Sequence, residues 1–188
     1  MKWIWSGAML LLLIISSTAC TTTIVPPTPD ASSATGTPIA EDMPAAFQPL
    51  NEAACEDLAG TVTQTLGMTA TVTATAPFQD YLTGQSGAGC QITVAGTGHD
   101  FASPIAVVDA LQSALAGEGW EIDSQYLADG PTGTATALRK EQALCLLSAG
   151  WDPAPEANCP DDQPISACEL SPEQQIYQIV LNCAEESS

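Results

Sequence analysis

The chain has 188 residues, and its 22 Asp and Glu stand against 3 Lys and Arg, for a formal net charge of −19. A surface this acidic repels nucleic acid and anionic lipid headgroups, which leaves solvation, a cationic ligand or a protein partner as its uses. The length suffices for one real core, and 45% of the residues are hydrophobic.

The first element is a mostly apolar run, Trp3 to Ile15, behind Lys2 and ahead of the small residues Ser16, Ser17, Thr18 and Ala19. It is too short for a bilayer span and has the layout of an export signal. Ser17-Thr18-Ala19-Cys20 resembles the lipobox of bacterial lipoprotein precursors, with Ser17 where that motif usually carries Leu. The resemblance implies a signal peptide over 1–19, cleavage before Cys20, acylation of Cys20, and a mature chain held on a bacterial membrane outside the cytoplasm. An ordinary small-x-small cleavage at the same bond would release a soluble protein instead. Residues 20–49 are rich in Thr, Pro, Ala and Ser without apolar periodicity and read as a flexible tether. A single acidic domain is expected over 50–188.

Asn51 is placed to cap a helix whose face carries Cys55, Leu58, Val62 and Leu66, with Gly67 to stop it. MTATVTATA, Met68 to Ala76, then alternates Met68, Ala70, Val72 and Ala74 with threonines, as a half-buried strand does. Cys90, Ile92 and Val94 mark a second strand. Ser103-Pro104 is a cap followed by proline at the first helical position, and Val107, Val108, Leu111 and Leu115 form the stripe of a second helix that ends at Gly117 and Gly119. Trp120, Ile122 and Tyr126 predict a strand up to the turn Asp129 to Gly133. Strands over 134–140 and 143–151 follow, then a proline- and acid-rich loop over 152–172, then a last strand over 175–183.

The fold class expected is α+β: two helices on one face of a mainly antiparallel sheet, with an α-β-β internal repeat echoed by CQITVAG and CLLSAG. That order of elements is similar to the β-lactamase inhibitor protein fold and to some small outer-membrane assembly lipoproteins, a likeness of fold that implies no function.

Seven cysteines are an odd number for an exported chain, and setting Cys20 aside as the anchor leaves six. Cys55 on the helix face suits Cys90 on the strand beneath it, and Cys145 suits Cys183 on a neighbouring strand. Cys159 then pairs with Cys168 inside the loop. Cys145 with Cys159 and Cys168 with Cys183 is the rival arrangement.

Candidate chemistry is sparse. No cofactor or metal site is expected: His99 is the single histidine, close Cys pairs are missing, and Asp161-Asp162 lacks the spacing of a calcium loop. GTGHDF lacks the third glycine of a dinucleotide loop, and GQSGAG departs from a nucleophile elbow at Ala88. His99 beside Asp100 reads as a turn, and Arg139-Lys140 as a hairpin tip. Repulsion among so many carboxylates is expected to raise their folded pKa values, so that stability falls as pH rises. The reading preferred is a non-catalytic binding or interaction module, with a divergent hydrolase or a purely structural envelope protein as alternatives. A deep pocket converging on His99 and Asp100 would favour the hydrolase.

Overall fold

The computed structural model describes residues 45–160 and 163–187. The export signal, Cys20, most of the tether and Asp161-Asp162 lie outside the described residues. The elements run β1 (Phe47–Pro49), α1 (Glu52–Leu66), β2 (Thr71–Gln79), β3 (Ser86–Thr97), α2 (Pro104–Ala116), β4 (Glu121–Asp129), β5 (Gly133–Lys140), β6 (Ala143–Pro153) and β7 (Gln175–Glu186).

Local chemistry sets the helix ends. The Asn51 side chain accepts from the Ala54 N–H at 3.0 Å, and Gly67 closes α1 at φ 68°, giving its N–H to the Thr63 carbonyl at 2.9 Å. Ser103 accepts from the Ala106 N–H at 3.2 Å, and Pro104 takes the first position of α2, where its missing N–H costs nothing. The faces they bury are Cys55, Leu58, Ala59 and Val62 on α1, and Val107, Val108, Leu111 and Leu115 on α2.

The sheet has seven strands in the order β2-β3-β1-β7-β6-β5-β4, antiparallel except where β1 runs beside β3. This is the expected α+β class. β3 and β7 pair directly from Cys90↔Cys183 to Thr97↔Ile176, and beyond that β1 wedges between them, Phe47 opposite Gly87 and Glu186. A Cβ at Gly87 would collide with the Phe47 backbone, so the wedge requires glycine there. The sheet thus begins inside the stretch that composition assigns to the tether. Three residues are too few to show a period, and what holds them is tertiary: Phe47 is 2% exposed and packs its ring 4.7 Å from that of Phe78.

Two hydrophobic clusters lie on opposite faces. Under the helices, α1 and α2 cover Ile92, Val94, Leu138, Leu147, Ile179 and Leu181. On the helix-free face a smaller cluster joins Phe47, Phe78, Tyr126, Ala137, Leu144 and Ala184.

Bulges in both edge strands feed that second cluster. In β2 the register with β3 slips between Thr73 and Ala76, and in β4 the register with β5 slips between Asp123 and Ala128. Each slip breaks the alternation of side chains across the sheet. Val72 therefore sits opposite Ile92 on the helix side while Phe78 faces the other way, and Ile122 sits opposite Leu138 while Tyr126 turns over. The uniform alternation expected for MTATVTATA and for Trp120 to Tyr126 is corrected here: Ala74 is exposed, Val72 and Ile122 are 39% and 50% exposed, and Phe78 and Tyr126 are buried.

The six cysteines stand at disulfide distance as Cys55–Cys90, Cys145–Cys183 and Cys159–Cys168, with Cα separations of 6.1, 4.0 and 5.7 Å. The first ties α1 to β3, the second joins β6 to β7, and the third closes the loop before β7. Cys90 and Cys145 both lie opposite Cys183, so CQITVAG and CLLSAG run at one level on the two flanks of β7. Disulfides of this number point to an oxidising, extracytoplasmic compartment. Among the described residues no helix is long and apolar enough to cross a membrane.

Candidate functional site

The two outer strands of the sheet meet across its helix-free face. Tyr126 of β4, 2% exposed, donates its hydroxyl to Asp80 Oδ1 at 3.0 Å, just beyond the end of β2. Tyr81 returns the link, donating to the Tyr126 carbonyl at 3.0 Å with the two rings edge to face at 5.1 Å. Asp80, also 2% exposed, further accepts from the Leu82 N–H at 2.9 Å and the Thr83 hydroxyl at 2.7 Å. Arg139 of β5 completes the cluster. Its Nε donates to Asp123 at 2.9 Å, and its two Nη atoms donate to Glu186 and to the Tyr126 oxygen, each at 3.3 Å.

These contacts set the protonation states. Burial pushes the Asp80 pKa up, but the bonds from Thr83, Leu82 and Tyr126 outweigh it and hold the carboxyl below its ordinary value. Burial, the bond to Asp80 and the charge of Asp80 raise the Tyr126 phenol to about 12. The Arg139 guanidinium lowers Asp123, and Asp123 in turn raises Arg139. Asp100 is lowered by the Thr97 N–H and hydroxyl, and Glu173 falls to about 2 beside His99. The rise expected from crowding does not hold at these four carboxylates: each is lowered, because hydrogen-bond donors lie closer to it than other acids do.

Away from this cluster the same face opens into a groove of about 500 Å³ across β4 to β7. Its floor is small, with Ala128, Ala135, Ser148 and Gly150, flanked by Gln178 and Val180; Asp152 stands at its rim, while Asp129, which also lines it, accepts from the Thr134 hydroxyl. Registration explains the shape. Ala128 lies opposite Ala135, Ala135 opposite Ser148 and Ser148 opposite Val180, so short side chains from four strands share one row. Among the described residues no Lys or Arg lines it. The groove can hold an extended polar chain by contact and hydrogen bonding, and its rim carboxylate favours positive charge on that chain.

A second groove, of about 260 Å³, lies between the start of α1 and the β5-β6 hairpin and is lined by Asp57, Glu118, Trp120, Lys140, Glu141 and Glu185 among others. Lys140 lines it, donating to the Glu118 carbonyl at 2.8 Å with its ammonium 5.9 Å from the Trp120 ring centre. The hairpin tip itself is Glu141 at φ 55°. Both cations read as a tip are therefore drawn into side-chain contacts.

His99 and Asp100 form an exposed turn: Asp100 accepts from the Thr97 N–H and hydroxyl at 2.8 and 3.0 Å, and His99 Nε2 meets Glu173 at 2.6 Å. Neither groove includes them. GQSGAG leads from the Asp80 to Gln85 turn into β3. Among the described residues no group of three or more His, Cys, Asp and Glu is gathered for a metal.

Sequence reasoning missed Asp80, Tyr126 and the floor of the groove. The Asp80 turn was in principle visible as Asp-x-x-Thr-Gly, but its partner arrives from the far edge of the sheet, which no local pattern encodes. No family model, no curated protein and no solved structure matches this chain.

Proposed function

We propose that this chain is a lipid-anchored, non-catalytic binding module of a bacterial cell envelope, and that it takes an extended ligand bearing positive charge in the groove of the helix-free face. The observation that carries the reading is the groove: a floor of small side chains, the Asp152 carboxylate at its rim and, among the described residues, no lining cation. The bulk charge of the chain favours the same ligand class.

Titrating the isotope-labelled full chain with tetralysine, against tetraglycine as a neutral probe, tests it by backbone amide shifts. Tetralysine should move amides over 128–135, 148–152 and 178–180, and Ser148→Arg, at an exposed position, should abolish those shifts without unfolding the domain. No response, or one spread evenly over every acidic segment, would sink the groove as the site.

Anchoring is assigned to Cys20. Expressed with its N-terminus in a bacterium, the chain should incorporate labelled palmitate and enter detergent, and Cys20→Ser should lose both; equal partitioning of the two would end this part of the proposal.

We also read α1-β2-β3 and α2-β4-β5 as two copies of one unit about an axis normal to the sheet between β6 and β7. Each helix leads into a bulged edge strand that carries an aromatic over to the helix-free cluster. This correspondence matches β3 with β5, so the cysteine echo between β3 and β6 is not its mark. An experimental structure in which the two units fail to superpose over helix and both strands would remove it.

A further inference from the structure

We propose that two copies of this chain join through β2, edge to edge and antiparallel, about Val72. Among the described residues β2 is an outermost strand of the sheet, with β3 on one side and no strand on the other. Thr69 to Thr75 reads Thr-Ala-Thr-Val-Thr-Ala-Thr, the same in both directions. Antiparallel pairing centred on Val72 therefore sets valine against valine and Thr71 against Thr73 of the other copy, and the ladder ends where Ala70 precedes β2 and Ala74 enters its bulge. Thr71 and Thr73 then share one face and Val72 the other, so each of these cross-strand pairs is matched in kind. Such an interface is isologous, as a two-fold dimer demands. The axis is normal to the sheet, so both helix layers stay on one side and the two sheets become continuous.

Burial and charge select this edge. Val72 lies opposite Ile92 on the helix side, yet it is 39% exposed where Ile92 is 1% exposed, because none of the described residues covers it from the outside. Between Leu58 and Gly98 the sequence has one charged side chain, Asp80, and it is buried. The opposite edge, β4, would bring Glu121, Asp123 and Asp129 toward their own images. For a chain of net charge −19, the β2 edge lets two molecules meet without facing carboxylates. The bulge after Thr73 bends β2 away and bounds the ladder, which limits its area. An edge contact this limited makes a weak, transient dimer, and the proposal sets its dissociation constant on the order of micromolar.

The test uses the full chain in detergent, by sedimentation from about 1 to 100 µM, a range that brackets such a constant. The wild type should pass from monomer to dimer across it. Thr73→Glu, at an exposed position, should lower the dimer fraction at least about tenfold with an unchanged thermal midpoint, since the two glutamates stand diagonally across the axis, each opposite Thr71 of the other copy and within reach of its image. Under oxidising conditions Val72→Cys should yield a disulfide-linked dimer on a non-reducing gel, while Ile122→Cys on the β4 edge stays monomeric. A wild type that remains monomeric at the top concentration overturns the proposal and leaves the edge to a strand of another protein. Folded Thr73→Glu that dimerises like the wild type overturns it as well, as does equal crosslinking of the two cysteine variants.

Discussion

β2 and β4 are the two ends of one sheet and share a design. Each follows a helix, each is interrupted by a bulge, and each delivers an aromatic ring to the helix-free face. They are finished differently. β4 carries Glu121, Asp123 and Asp129, with Asp123 held by Arg139, whereas β2 has no charge from Thr71 to Gln79 and one proline, Pro77, near its end. Charge and proline are the usual ways of keeping an edge from pairing, so β4 is guarded along its length and β2 only beyond its bulge. Strands of equal rank in a topology thus differ in what they leave available.

What the two edges share, the Tyr126 contact, should be the costliest thing to remove. Tyr126→Ala takes a buried ring from the helix-free cluster and strands Asp80, so it should cost about 3–5 kcal/mol in denaturant unfolding. Tyr81→Ala, at a ring that is 52% exposed, should cost far less. If both changes cost the same, the edges are not joined through Tyr126.

The phenol of Tyr126 gives a finer reading of the same contact. Its folded pKa, about 12, lies above the ordinary value of 10.0, so the folded state holds the proton more tightly than the unfolded state. The stability this confers is complete below pH 10 and is lost as pH rises through about 12, an effect of about 2–3 kcal/mol. Tyr126→Phe should remove most of that alkaline slope, the remainder coming from Tyr81 and Tyr177, whose pKa values are also raised. An unchanged slope would mean that Tyr126 ionises freely in the folded protein.

On the acid side the sign reverses. Asp80 and Asp123 are lowered in the folded state, so their contribution is present above the ordinary Asp range and is lost as pH falls through their folded values. Asp80→Asn should cost about 1–3 kcal/mol at neutral pH and much less near pH 2. A variant equally destabilised at both pH values would show that Asp80 acts by shape rather than by charge. A domain more stable at pH 4.5 than at 7.5 in low salt would restore repulsion as the dominant force.

How far the chain could be read from its letters follows from how local each cause is. Asn51, Gly67, Ser103, Pro104 and Gly117 act within a turn of themselves, and both helices begin and end beside them. The cysteines needed only the order of elements and the inward face of each. The bulges were not legible, since a period of two looks the same whether or not the partner strand keeps pace. Nor was β1, where Phe47 is fixed by Phe78 and by the space that Gly87 leaves. The Asp80 to Tyr126 bond joins opposite halves of the sequence and the groove gathers residues from four strands, and only the closed topology sets them side by side.

The smallest effect on stability comes from exchanging the finish of the two edges. Glu121 is exposed and lies opposite Arg139 in the ladder, but Arg139 spends its donors on Asp123, Glu186 and Tyr126. Glu121→Thr should therefore leave folding stability within about 0.5 kcal/mol. What it removes is a charge that repels a second strand, and threonine suits a strand better than glutamate does. If charge is what separates the edges, this variant should self-associate more than the wild type in light scattering, and most clearly in high salt, where the remaining repulsion of Asp123 and Asp129 is screened. If Glu121→Thr scatters no more than the wild type at any salt, the difference between the edges lies in backbone shape, with the longer bulge of β4 as its guard.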